Sequence, residues 1–135
     1  MVLKYNQQLV KILKKPCPCM SKFQPRNVTA YRFMNNPEVN DSFLPAALVS
    51  PPADGMLTCE HWALSFFDSL NSAQNKFKQL NQRVDAKKKY GDHIGEIELI
   101  QADGLASLPN EKGHFSLHEE LEAKVTGRIK RFIPL

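Results

Sequence analysis

The segment Cys59 to Arg83, CEHWALSFFDSLNSAQNKFKQLNQR, places the densest apolar run of the chain directly before its clearest amphipathic pattern. Alternation puts Trp62, Leu64 and Phe66 on one side of a strand and Ala63, Ser65 and Phe67 on the other. Asp68 or Ser69 can then accept hydrogen bonds from the free N–H groups of a helix start. From there Leu70, Ala73, Phe77, Leu80 and Val84 recur at spacings of three and four, one apolar stripe along a helix of Ser69 to Val84. Lys76, Lys78 and Arg83 lie on its outer side, and Lys87, Lys88 and Lys89 before Tyr90 and Gly91 suit a helix end.

Working outward, VTAYRF at Val28 to Phe33 and HIGEIELI at His93 to Ile100 read as strands, being β-branched, aromatic and alternating. RIKRFIPL at the end reads as an edge strand whose basic residues discourage unwanted pairing. Ser116-Leu117-His118-Glu119 matches a capping box, and Leu117, Leu121 and Val125 stack at intervals of four, which predicts a second helix stopped by Gly127. Leu105 to Gly113 reads as irregular. Leu3 to Lys15 predicts a short helix with Leu9, Ile12 and Leu13 as its stripe, ended by Pro16. The long connection from Asn35 to Asp54 carries an apolar island, Phe43 to Val49, that should dock onto the rest. The expected fold is therefore α+β: a small, mostly antiparallel sheet against two helices in residues 27–135. A helical arm and a Pro- and Cys-containing linker, residues 1–26, precede it.

Composition bounds the function. A chain of 135 residues with 42% hydrophobic and 24% charged residues suits one ordinary core, not disorder. No apolar run approaches a membrane span. Three cysteines do not make a disulfide framework, so a soluble protein of a reducing cytoplasm is expected. The net charge of +4 favours an anionic partner.

Four constellations bear chemistry. The first is Arg32, Ser65 and a later glutamate, in YRF at Tyr31 to Phe33, ALSFFDSLNSA at Ala63 to Ala73, and GEIEL at Gly95 to Leu99 or LHEE at Leu117 to Glu120. In that order the chain resembles the ADP-ribosyltransferase superfamily. The resemblance implies a nucleotide-binding domain, of a bacterial toxin or defence protein, acting on NAD. Arg32 would hold the dinucleotide with Tyr31 and His118 nearby, Ser65 would orient a carboxylate, and Glu119 or Glu98 would stabilise the oxocarbenium-like charge as nicotinamide leaves. Only one serine stands on the strand, and Glu96 and Glu98 equally suit a solvated strand face. The YRF, FLP, LSFF and GHFSLHE segments are also similar to those of small bacterial proteins, a likeness that implies no activity.

The second is metal. Cys17, Cys19, Cys59, His61, His114 and His118 are zinc-type residues, but Cys-Pro-Cys lacks the usual two-residue gap, and no metal is expected. The third pairs Cys59 with His61 two positions on; it reads as a buried structural thiol. The fourth is electrostatic. Lys87, Lys88 and Lys89, with Lys76, Lys78 and Arg83, could lie against nucleic acid, which makes a non-catalytic interaction module the alternative function.

Overall fold

The computed structural model describes residues 1–12, 16–36 and 40–135. Leu13, Lys14 and Lys15, the end of the expected N-terminal helix, lie outside them; within them that helix, α1, is limited to Asn6–Leu9. Next come β1 (Phe23–Gln24), β2 (Val28–Met34), α2 (Ala46–Val49) and β3 (Leu64–Phe67). They are followed by α3 (Leu70–Asn81), α4 (Ala86–Tyr90), β4 (His93–Leu99), β5 (Gly104–Ser107), β6 (His114–Glu119) and β7 (Ile129–Pro134). All seven strands join one antiparallel sheet in the order β1-β5-β6-β3-β2-β4-β7, so the fold is α+β. No described helix is long and apolar enough to cross a membrane.

The registers show why the sheet has two apolar faces. Ala30 sits opposite Ile97, Leu64 opposite Leu117 and Phe66 opposite Phe115, and these residues fill one core with Phe43 and Val125. Tyr31 opposite Phe67 and Phe33 opposite Ile94 fall on the other face, where Ala73 and Leu70 of α3 cover them. Ser69 caps α3 by accepting from the Ser72 N–H. Phe77 packs edge-on to Phe33, with ring centres 5.9 Å apart. A third cluster gathers Leu3, Leu9 and Leu105 with Phe23 and Trp62, so the first residues of the arm pack onto the β5 end of the sheet.

Four expectations need correction. The helix predicted from Ser116 is strand β6. Phe115 and Leu117 alternate, and β3 and β5 on either side satisfy both backbone edges of the strand, an outcome local capping cannot match. Leu121, needed for the helical stripe, is half exposed. The supposedly irregular Leu105 lies in β5, too short for its alternation to register. Trp62 belongs to a 3₁₀ turn, Cys59–Trp62, and packs against Tyr5 of the arm instead of along β3. The central helix stops at Asn81, leaving Val84 exposed; Asp85 caps the separate α4.

The cysteines differ too. Cys17 and Cys59 form a disulfide with Cα atoms 5.6 Å apart, and Cys19 is free. Their separation of 42 residues hides the contact in the sequence, because it exists only once the arm folds back.

Candidate ligand cleft

The cleft originates in a break of strand pairing. β2 and β3 are in register only at Tyr31 and Phe67 and part beyond that point, while β3 stays paired with β6 from Leu64 to Phe67. The opening leaves the Ser65 carbonyl without a ladder partner, and Arg32 fills it. Its Nη1 donates to the Ser65 carbonyl at 2.7 Å and its Nε to the Ser42 carbonyl at 2.7 Å. The guanidinium lies 5.7 Å from the Phe66 ring centre and 5.9 Å from that of Phe43, a cation held between two aromatic rings. Burial draws its pKa down to about 10, against the opposing pull of the Glu119 carboxylate, so it remains charged at neutral pH. Two of its five N–H donors are used by these bonds, and among the described residues the other three have no hydrogen-bond partner.

Phe43 is the anchor of the expected docking island. With it in place, the stretch from Ser42 to Ser50 forms a wall facing α3 across a cleft of about 870 Å³. The floor is Phe33, Ser65 and Phe67 of the sheet, and the far wall carries Lys76 and Leu80 of α3 with Lys89 and Tyr90 of α4. Glu60 and His61 approach from the 3₁₀ turn. The Thr58 N–H donates to His61 Nδ1 at 2.8 Å, which assigns the ring proton to Nε2 and leaves that N–H as a donor. His114 packs edge-on to Phe67 at 5.6 Å; burial first, then the charge of Lys76, holds its pKa below the usual value, so the ring is neutral at pH 7. Lys89 lies 5.3 Å from the ring centre of Tyr90. Beyond Lys76 and His114 a second, polar depression of about 700 Å³ continues along α3 past Asn71, Asn75 and Lys112.

Among the residues singled out from sequence, Arg32 and Ser65 therefore meet at one cleft, and Ser65 is exposed there. Lys76, Lys89, His61 and His114 line it as well, whereas Tyr31, Glu96, Glu98, His118 and Glu119 lie elsewhere. Tyr31 donates to Glu96 at 2.8 Å, and Glu96 also accepts from Arg131 at 3.2 Å. Glu98 accepts from Thr29 at 2.7 Å and pairs with Lys130 at 3.0 Å. These are cross-strand ladders of β2, β4 and β7 on a partly solvated surface, and their hydrogen bonds hold both carboxyls below their ordinary pKa.

Glu119 is buried at the end of β6. Its Oε2 meets Lys4 Nζ at 3.0 Å, and its Oε1 has no partner among the described residues. Burial raises its pKa, although Lys4 and Arg32 pull the other way. His118, the preceding residue, points to the opposite face. It is buried beside the disulfide, its Nε2 3.5 Å from Cys59 Sγ, and burial draws its pKa down to about 4. Of the zinc-type residues, Cys17, Cys59 and His118 come together, whereas His61 and His114 belong to the cleft. Glu60 and Thr58 carried no sequence signal as site residues, because the wall they join is assembled by a connection without periodicity, and Lys76 and Lys89 stood out only as members of a basic patch. No protein-family model, curated protein or solved structure matches the chain.

Proposed function

We propose that the cleft binds a nucleotide-sized anion, with an aromatic group against Phe33, Phe67 and Tyr90 and its phosphates toward Lys76, Lys89 and the remaining donors of Arg32. The observation that supports this most is the imbalance of the walls. Among the described residues Arg32, Lys76 and Lys89 line one cleft with aromatic rings, against one carboxylate, that of Glu60. A low-dielectric wall makes such cations act over longer range than on an open surface. The volume also suits a ligand of that size.

ADP-ribosyl transfer from NAD is the enzymatic form of this reading. It needs a carboxylate beside the ribose as nicotinamide departs; Glu60 occupies the cleft wall, while Glu119 and Glu98 do not. Calorimetric titration with AMP, ADP and NAD tests the binding step. A dissociation constant below millimolar, raised about tenfold by Lys76→Ala or Lys89→Ala, supports it, that change corresponding to ~1.4 kcal/mol. No heat with any of the three, or affinities indifferent to both substitutions, refutes it. Release of nicotinamide from NAD, lost in Glu60→Gln while binding persists, separates the enzyme from a binding module.

The exposed Lys87 and Lys88 beside Lys89 favour one second reading, a nucleic-acid strand along α4 and the rim of the cleft. That reading requires affinity for single-stranded RNA or DNA to fall steeply with salt; a flat salt dependence refutes it.

A further inference from the structure

The disulfide corner contains a group that a disulfide does not need. His118 is 2% exposed, opposite Leu105 across the strands and edge-on to Phe23 at 5.2 Å, both members of the apolar cluster that holds Leu3, Leu9 and Cys17. Its Nε2 faces sulfur: Cys59 Sγ lies 3.5 Å away, and the ligand atoms of Cys17, Cys59 and His118 all fall within 4.8 Å of one another. Zinc bound tetrahedrally to sulfur at ~2.3 Å and nitrogen at ~2.1 Å sets those two ligand atoms ~3.6 Å apart. The observed nitrogen–sulfur spacing already has that length.

We propose that reduction of the Cys17–Cys59 disulfide converts this corner into a zinc site, with Cys17 and Cys59 thiolates and His118 Nε2 as ligands and a fourth position open to water. The reductant is a thiol or phosphine. A dithiol delivers two electrons and two protons to the sulfur–sulfur bond and is itself oxidised to a disulfide, leaving two cysteine thiols. Zinc then displaces both thiol protons into solvent, and its two positive charges are balanced by the two thiolates. The apolar surroundings favour such a neutral cluster over a free cation. Cys59 opens the turn that carries Glu60 and His61 to the cleft, so metal and disulfide are alternative fasteners for the same wall.

The full chain is reduced with a phosphine under anaerobic conditions and titrated with cobalt(II) as a spectroscopic stand-in, then with zinc. The expected result is one equivalent of metal bound only by the reduced chain, with tetrahedral ligand-field bands and thiolate-to-cobalt charge transfer. His118→Gln should weaken binding at least tenfold, and Cys17→Ser should remove about half of the charge-transfer intensity. In unsubstituted protein, bound zinc should slow alkylation of Cys17 and Cys59 at least tenfold and leave Cys19 reactive, measured by peptide mass spectrometry. Absence of tetrahedral bands, binding unchanged in both variants, or protection confined to Cys19 overturns the proposal. Reduction that unfolds the chain, with no recovery of circular dichroism on adding zinc, overturns it too.

Discussion

Two regions of this molecule treat charge in opposite ways. At the corner where β5 begins and β6 ends lie the three fully buried ionisable side chains among the described residues, Asp103, His118 and Glu119. Each is fastened. Asp103 pairs with Arg128 and accepts from the Ile100 N–H at 2.7 Å, Glu119 pairs with Lys4, and His118 meets the disulfide. Gly104 closes the corner, since its φ of 148° and its approach to the His118 carbonyl leave no room for a Cβ. In the cleft, by contrast, Lys76 and Lys89 are exposed cations on helix walls, and only Arg32 is tied to backbone carbonyls. Charge that holds the fold is buried and paired, and charge available to a ligand is solvated and spare. The contrast predicts that removing the buried Asp103 pairing lowers stability without changing cleft affinity, and that substitutions of Lys76 and Lys89 do the reverse.

Asp103→Ala makes the sharpest test. It leaves Arg128 partly buried without its counter-charge and should cost about 3 kcal/mol or more in urea unfolding. A loss under 1 kcal/mol would show that the corner is not held by this pair. Cys59→Ser opens a closed loop of 42 residues' separation and should cost roughly 2–4 kcal/mol, with added reductant destabilising the parent but not the variant.

The pH profile discriminates the two neighbours on β6. His118 titrates near 4 when folded against 6.5 in the open chain, so between those values the unfolded state binds more protons. Its stability contribution is present above 6.5 and is lost as pH falls toward 4, a loss of about 3 kcal/mol when complete. Glu119 is shifted upward, so the folded state holds its proton longer. Its burial costs stability as pH rises through the folded pKa and is relieved as pH falls toward 4.5. Thermal scans should show His118→Gln flattening the decline below pH 6.5 and Glu119→Gln steepening it. Identical profiles for the two variants would contradict this opposition. The smallest stability effect belongs to Lys76→Ala, within about 0.5 kcal/mol of the parent, because an exposed helix lysine holds nothing in place. A larger loss would erase the distinction between the regions.

How far these regions were legible in the sequence follows the same division. The strands at Val28, His93 and Ile129 and the helix after Ser69 were readable because each pairs a period with a face that must be buried. β6 reads two ways because Leu117 both alternates with Phe115 and heads the interval-of-four run to Leu121 and Val125, and only the presence of β3 and β5 decides between them. The corner was invisible for a related reason: Lys4 and Glu119 are 115 residues apart, and Cys17 finds Cys59 only after the arm returns. Within the cleft, Arg32 and Ser65 stood out as polar residues on apolar strands. Glu60 did not, and His61 stood out only as a metal or thiol partner, since their placement depends on where Phe43 anchors an aperiodic connection.

The bridge between Cys17 and Cys59 also sets how the chain would bear a load. Tension applied between Met1 and Leu135 reaches Cys17, crosses through sulfur to Cys59, and bypasses everything between. β1 and β2 lie inside that bypassed ring, whereas every other strand lies in the path of the force. Stretched to its limit, the oxidised chain should fall short of the reduced one by roughly 140 Å, the contour of 42 residue steps less the span of the bridge. β2, at the interior of the sheet, thus belongs to a segment that mechanical pulling cannot straighten until the sulfurs part.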